Sequence, residues 1–475
     1  MDKYNKLALN TVIFTIGSFG SKLLSYFLVI LYNNFISPES NSLVDIIRGA
    51  GNLLIPIGFI CASEAVLRFG LDKRFRKDDV FTSAVFISLG GLAVLALLSP
   101  VFHFIDLLQG HGFILYVFVY ISCFRQVCSQ FVRAKNQLKL FALDGILTTL
   151  FLLLFNIIFI VILKLDVIGF FLSLILSDFC SILFLSYISD LGRYLKLTRP
   201  NFPLIKQMLA YSAPLVPAMI TWWIINMSDR YFVVEMVGEE ANGIYGYAYK
   251  IPALVMMVTS IFQQAWQISA IDEMEKSGTK EFYRKVNNVY QSIMFVAAAG
   301  IMLICLPLTT ILAGTKFPEY LEAYVYIPTL TLATIFMCFG TFLSSIYTAT
   351  KKSVNSMLTS FAAAAANIVL NALLIPKIGV QGAAIATLVS YLLCYILRII
   401  DTRRYIYFKV NHLKTIVNTA VISLMGCAVI FDFKGKWIYL VLGFIAVVIL
   451  NLPEFMQTLL ALLRRNTGKK GGSEQ

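Results

Sequence analysis

Four basic side chains fall deep inside long apolar stretches: Lys22, Arg48, Arg125 and Lys250. A lysine or arginine at the centre of a bilayer costs about 2.5–3.5 kcal/mol on insertion scales, so each needs an acid partner or a wet cavity. Facing a cavity, such cations would hold an anionic group, phosphate above all, through charge-assisted hydrogen bonds. All four are therefore candidate substrate-binding residues. Asp178 and Glu64 lie in similar surroundings and are candidates for coupling a proton or sodium ion. Asp144 stands near the expected start of a helix, where capping accounts for it. Ion pairing or snorkelling accounts for Arg68, four residues after Glu64, for Arg230 beside Asp229, and for Arg398 near a helix end.

Other chemistry is thinly represented. His103, His111 and His412 are scattered near block ends and make no metal-ligand pattern. The eight cysteines all fall within apolar blocks, and no CxxC occurs, so they read as small packing residues. No catalytic residue, metal or cofactor is expected.

The elements that carry these charges must be membrane helices. Apolar residues make up 59% of the 475-residue chain and charged residues only 14%, with a mean hydropathy of +0.79. Soluble domains carry about 25% charged residues. A bilayer core of about 30 Å needs about 20 helical residues per crossing. Fourteen crossings are expected, at about 7–35, 42–70, 79–102, 112–133, 140–163, 167–189, 207–235, 243–271, 286–314, 323–349, 354–375, 380–401, 414–431 and 437–463. The fold class is an all-α polytopic membrane protein. The first apolar block is read as retained.

The net charge of +13 marks topology here, with no nucleic acid as partner. One set of alternate gaps holds Lys73, Arg74, Arg76, Lys77, Lys135, Lys139, Arg193, Lys196, Arg284, Lys285, Arg403, Arg404, Arg464 and Arg465, among others. The opposite set holds only Lys164, Lys316, Lys377, Lys434 and Lys436. The positive-inside rule then places both termini in the cytoplasm of a cell inner membrane.

The two halves of the chain resemble each other in register. LTTLFLLLFNI (147–157) precedes LTSFAAAAANI (358–368) by 211 residues, and SPESNSLVD (37–45) precedes GEEANGIYG (238–246) by 201. The expected organisation is two pseudo-symmetric six-helix bundles, 1–206 and 207–413, then two additional crossings in 414–465 and a disordered tail, 466–475. Such a parallel repeat is a transporter plan with a cavity at the pseudo-symmetry axis. In that alignment Arg48 matches Tyr249, beside Lys250. Pro56, Pro214, Pro217 and Pro252 break helices where gates would bend.

The pattern resembles the MOP (MATE-like) exporter superfamily. DRYFVVEMVGEEANGIYGYAYKIP (229–252) is similar to a signature of Wzx-type polysaccharide flippases, and NTVIFTIGSFGSKLLSYFLV (10–29) resembles their opening helix. The resemblance implies a flippase that moves a polyisoprenoid-(pyro)phosphate-linked oligosaccharide, or a related cell-envelope precursor, from the cytoplasmic to the outer leaflet. It implies membrane lipid as a partner, with a polysaccharide polymerase or glycosyltransferases as further partners. Trp222, Trp223, Trp266 and Tyr249 would either stack on sugars or simply pack. Two other readings compete: a MATE-like small-molecule antiporter, and a membrane polysaccharide polymerase or glycosyltransferase. The outer gaps are too short and too poor in acid–base pairs to favour the enzyme.

Overall fold

The computed structural model describes residues 27–102, 108, 110–196, 200–272, 279–314, 316–350 and 352–470. Among these every regular element is helical. Helix α1 occupies 27–35, followed by α2 (Pro38–Gly58), α3 (Ala62–Leu71), α4 (Lys77–Phe102), α5 (Gly112–Ala134), α6 (Leu138–Asn156) and α7 (Asp166–Ile188). Then come α8 (Phe202–Ser212), α9 (Leu215–Met236), α10 (Glu239–Ala248), α11 (Ala253–Asp272) and α12 (Thr279–Ala313). The last five are α13 (Ile327–Ala349), α14 (Ser353–Ile378), α15 (Val380–Thr402), α16 (His412–Ile430) and α17 (Lys436–Lys470).

Ten of the described helices are long and apolar enough to cross a bilayer, or eleven when α2 and α3 count as one bent span. Of the other expected crossings, the first lies largely outside the described residues. The seventh and eighth fall on the pairs α8–α9 and α10–α11, which are not among those spans. Helix α17 continues to Lys470, beyond the polar boundary expected at 466.

The chain forms two compact units. Unit 1 takes in the described residues up to Val234 together with Ala313–Phe317; unit 2 holds Glu235–Leu312 and the rest. By contacts α8 and α9 therefore join unit 1, whereas the internal repeat assigns them to the second bundle. The two divisions record different things, packing in the one case and duplicated sequence in the other.

Helix breaks adjoin the prolines. Pro56 lies in the last turn of α2, where it removes an amide donor, and α2 and α3 meet at a 51° bend. Ile60 and Cys61 make that bend with φ of 48° and 50°. A β-branched residue in left-handed backbone is unusual, and its composition gives no warning of it. Pro214 separates α8 from α9, and Pro252 separates α10 from α11.

Unit 1 has two apolar cores. One joins α3, α4, α5, α7 and α8 around Val66, Val85, Phe131 and Leu185; the other joins α2, α4, α5 and α7 around Ile47, Phe59, Phe118 and Phe171. Helices α2 and α4 approach so closely that a Cβ at Gly91 would stand 2.4 Å from the Gly58 carbonyl oxygen. Only glycine allows that contact.

Unit 2 packs through aromatic rings and one arginine. Trp266 stacks on Phe342 at 4.9 Å and donates its indole N–H to Ser345 at 2.8 Å, so it is a packing residue. Arg398, buried on α15, donates to the Gly340 carbonyl of α13 at 2.8 Å, and to Thr359 at 3.2 Å and Ser360 at 2.8 Å on α14. Its hydrogen-bond acceptors among the described residues are neutral, so where ion pairing or snorkelling was expected Arg398 forms a three-helix clamp.

Candidate functional site

The centre of unit 1 gathers charge from three helices that pack on one another: α5, α6 and α7. On α5, Ser122, Arg125 and Ser129 recur at helical spacing and so share one face. On α6, Asp144 and Thr148 do the same; on α7, Ser177, Asp178 and Ser181 supply the third wall. The sequence thus presents a polar stripe on each of three apolar helices, and folding turns the stripes together because nothing else in the bilayer could satisfy them.

Arg125 stands between two carboxylates. Its Nη2 is 3.4 Å from Asp144 Oδ2, and its Nε is 3.5 Å from Asp178 Oδ1. Both separations are long for a committed ion pair. The guanidinium donates at shorter range to hydroxyls, Nε to Ser181 at 3.1 Å and Nη2 to Thr148 at 3.2 Å. The carboxylates, in turn, accept their shortest bonds from serines: Ser181 to Asp144 and Ser122 to Asp178, each at 2.5 Å. The Asp144 side chain is 1% exposed, that of Asp178 13% and that of Arg125 24%. Exposure therefore rises from Asp144 towards Arg125.

Arg48 completes the group. It lies at the middle of the 21-residue α2, about 15 Å from either end. Helix α2 packs on both α5 and α7, and the Arg48 charge acts on Asp178 and Tyr32. The Arg48 side chain is exposed and makes no ion pair among the described residues. Its own helix is held in place by α9: Trp223 donates to the Gly49 carbonyl at 2.7 Å, and Arg230 Nη1 reaches Asp45 Oδ2 at 2.5 Å.

The sequence-derived candidates thus separate. Arg125 and Asp178 come together, and Arg48 acts on them from α2. Lys22 lies outside the described residues. Lys250 belongs to unit 2, half-buried in the break between α10 and α11, with its ammonium 5.9 Å from the Tyr247 ring. Glu64 is exposed on the first turn of α3 and stands apart from the acid pair. Of the proposed sugar platforms, Trp223 is engaged with Gly49, Tyr249 meets Tyr245 edge-on at 5.1 Å, and the Trp222 side chain lies outside the described set.

One expectation needs correction, and two others gain detail. Asp144 is no cap: the N-cap of α6 is Gln137, which puts the acid two turns inside the helix. The guanidinium of Arg230 pairs with Asp45, 185 residues away, and Asp229 Oδ1 accepts the backbone amide of Arg230. Arg68 and Glu64 are both exposed, and no ion pair joins them among the described residues.

The internal repeat sharpens the picture. At the same 211-residue offset, Thr359 corresponds to Thr148 and Asn355 to Asp144. Both threonines accept from an arginine, the half-buried Arg125 in unit 1 and the buried Arg398 in unit 2. Where unit 1 has a buried acid, unit 2 has an amide, which donates to Asp401 at 2.9 Å. Among the described residues the acid pair is found in unit 1 and has no counterpart at these positions of unit 2.

A family model described as polysaccharide biosynthesis protein matches residues 42–322, more than half of the chain and the whole of this charged centre. The chain belongs to the polysaccharide biosynthesis protein family. No curated protein sequence matches it. Solved structures share its fold. An inward-closed lipid II flippase MurJ superposes with a TM-score of 0.69 at 15% identity, covering 95% of this chain and all of that one. An inward-facing multidrug resistance MATE transporter of the MOP superfamily gives 0.68 at 16% identity, over 81% and 94% of the two chains. A MOP superfamily transporter from Pyrococcus furiosus, described by the reversed polarity of its binding pocket, gives 0.60 at 16%, over 83% and 95%. The family and the fold agree with the MOP resemblance seen in the sequence. This member of the polysaccharide biosynthesis family is a multi-pass membrane protein of MOP-type transporter fold.

Proposed function

We propose that the protein flips a polyisoprenoid-(pyro)phosphate-linked oligosaccharide, or a related cell-envelope precursor, from the cytoplasmic to the outer leaflet. The observation that carries this reading is the exposed cation Arg48 within the bent α2–α3 span, together with a second arginine, Arg125, that is only loosely paired on α5, the helix on which α2 packs. A cation left within a membrane span needs a wet route and an anion to serve, and the family's description, polysaccharide biosynthesis, supports a saccharide-bearing cargo. Lys22 and Lys250 are proposed to take the same phosphate at other stages of its passage.

Cations in the centre also favour this cargo over the organic molecules handled by a multidrug transporter. In the Pyrococcus protein a reversed polarity of the binding pocket is likewise taken to suggest a different function. The crowding of lysine and arginine into one set of gaps supports cytoplasmic termini in an inner membrane. Asp178 is proposed as the coupling group, because of the two candidates it is the acid that stands 3.5 Å from a cation, Arg125; Glu64 makes no ion pair among the described residues.

Depleting the protein in its own cell tests the function. Saccharides linked to polyprenyl pyrophosphate should accumulate and stay on the cytoplasmic leaflet, shielded from an impermeant glycosidase until the membrane is opened. Unchanged lipid-linked pools, with altered sensitivity to organic cations, would favour the small-molecule antiporter instead.

A further inference from the structure

The charged centre of unit 1 is balanced only while it is empty of cargo. Among the described residues, the charged groups that face one another there are Arg48 from α2, Arg125 from α5, Asp144 from α6 and Asp178 from α7. Two cations offset two acids. The Cys128 thiol on α5 and the Tyr32 phenol on α1 are the neighbouring groups that could titrate. A pyrophosphate arriving at Arg48 would add two negative charges to a site that already holds two carboxylates. In a low-dielectric interior like charges at such short range cannot all persist.

The hydrogen bonds show where the excess charge can be relieved. Asp178 Oδ2 is held by Ser122 at 2.5 Å, whereas Oδ1 faces Arg125 Nε at 3.5 Å, and that Nε already donates to Ser181 at 3.1 Å. Oδ1 therefore has no short bond among the described residues and is free to take a proton. Asp144 is the poorer acceptor, because its side chain is 1% exposed and water cannot reach it readily.

We propose that binding of the anionic head group beside Arg48 and Arg125 places a proton on Asp178, so that cargo and proton occupy the site together. The inference rests on the head-group reading above and specifies how that site is regulated. Protonation removes one of the two acids that compete for Arg125 and leaves the Nε side of the guanidinium to the phosphate. The bound state then holds more protons than the free state, so affinity rises as pH falls, by at most about tenfold per pH unit. It levels off where Asp178 is already protonated without cargo. The sign is opposite to that of a site where proton and cargo displace one another.

The test is calorimetric titration of the full chain in two buffers of different ionisation enthalpy. The ligand is polyprenyl pyrophosphate capped with N-acetylglucosamine, whose phosphates carry no proton that titrates near neutrality; the control is the neutral polyprenyl glycoside. Net proton uptake on binding is expected, together with a protonated-carboxyl band in the infrared difference spectrum of the wild type. Asp178→Asn should bind without uptake and with an affinity that is flat in pH, while Asp144→Asn keeps the uptake. Binding with no uptake, with proton release, or with uptake that survives Asp178→Asn overturns the inference and leaves the cargo reading intact. Equal binding of the charged and neutral lipids overturns the cargo reading itself. The wild-type heats and spectrum decide the matter even if a variant fails to fold.

Discussion

Glutamine at Arg48 is expected to cut transport at least tenfold while leaving the amount of folded protein in the membrane unchanged. Arg48 is exposed and makes no ion pair among the described residues, so its removal strands no acid. Folding even gains slightly from losing an unpaired cation within a membrane span. Transport loses a charge-assisted hydrogen bond to phosphate, worth about 1.5–3 kcal/mol, and every 1.4 kcal/mol or so is a factor of ten. Lysine at the same position should retain most activity, since charge matters there before geometry. Combining Lys22→Gln, Arg48→Gln and Lys250→Gln should reduce transport further. Translocation normalised to folded protein is the readout, and normal transport by the triple variant would remove these residues from the route.

Arg125→Gln should behave in the opposite way and fail at the level of folding. This arginine lies between Asp144 and Asp178, and its loss leaves two carboxylates in the membrane interior without their shared guanidinium. Removing one partner of a buried pair costs about 3–5 kcal/mol, so abundance and melting temperature in detergent should fall sharply. Lysine should rescue little, because a single ammonium cannot reach Asp144, Asp178, Thr148 and Ser181 as the fork does. Adding Asp144→Asn should restore much of the lost stability, and a double-mutant cycle over the two positions should show strong coupling. Additive losses would mean that the two side chains do not interact.

The contrast between these arginines was partly legible in the sequence. Both stood out as cations in apolar stretches, whereas the serines and threonines at helical spacing on α5, α6 and α7, the signal that could have joined them, did not. Asp144 was misassigned because the helix was taken to start close to it; with α6 beginning at Leu138, the same residue becomes a buried ligand of Arg125 and Ser181. Pairing over long separations could not be read at all. Nothing in one chain says that Arg230 reaches Asp45, or that Arg398 is satisfied by a carbonyl and two hydroxyls.

The helical class followed from composition, because the bilayer demands it, and the repeat located Asn156 and Asn367 as equivalent buried positions. The break at Ile60–Cys61 was beyond reach, since the strained residues are not the ones that favour left-handed backbone. Pro56, four residues upstream of Ile60, was the only signal.

The central claim is that the cargo is an anionic lipid-linked saccharide, and reconstituted translocation tests it most directly. The purified chain is placed in liposomes with polyprenyl pyrophosphate bearing a short saccharide, and the sugar reaching the opposite leaflet is captured by an impermeant lectin. The account predicts protein-dependent movement of this lipid, little movement of the neutral polyprenyl glycoside, and loss of movement with Arg48→Gln. Equal movement of the neutral lipid, or transport of organic cations with no movement of the pyrophosphate lipid, would contradict it.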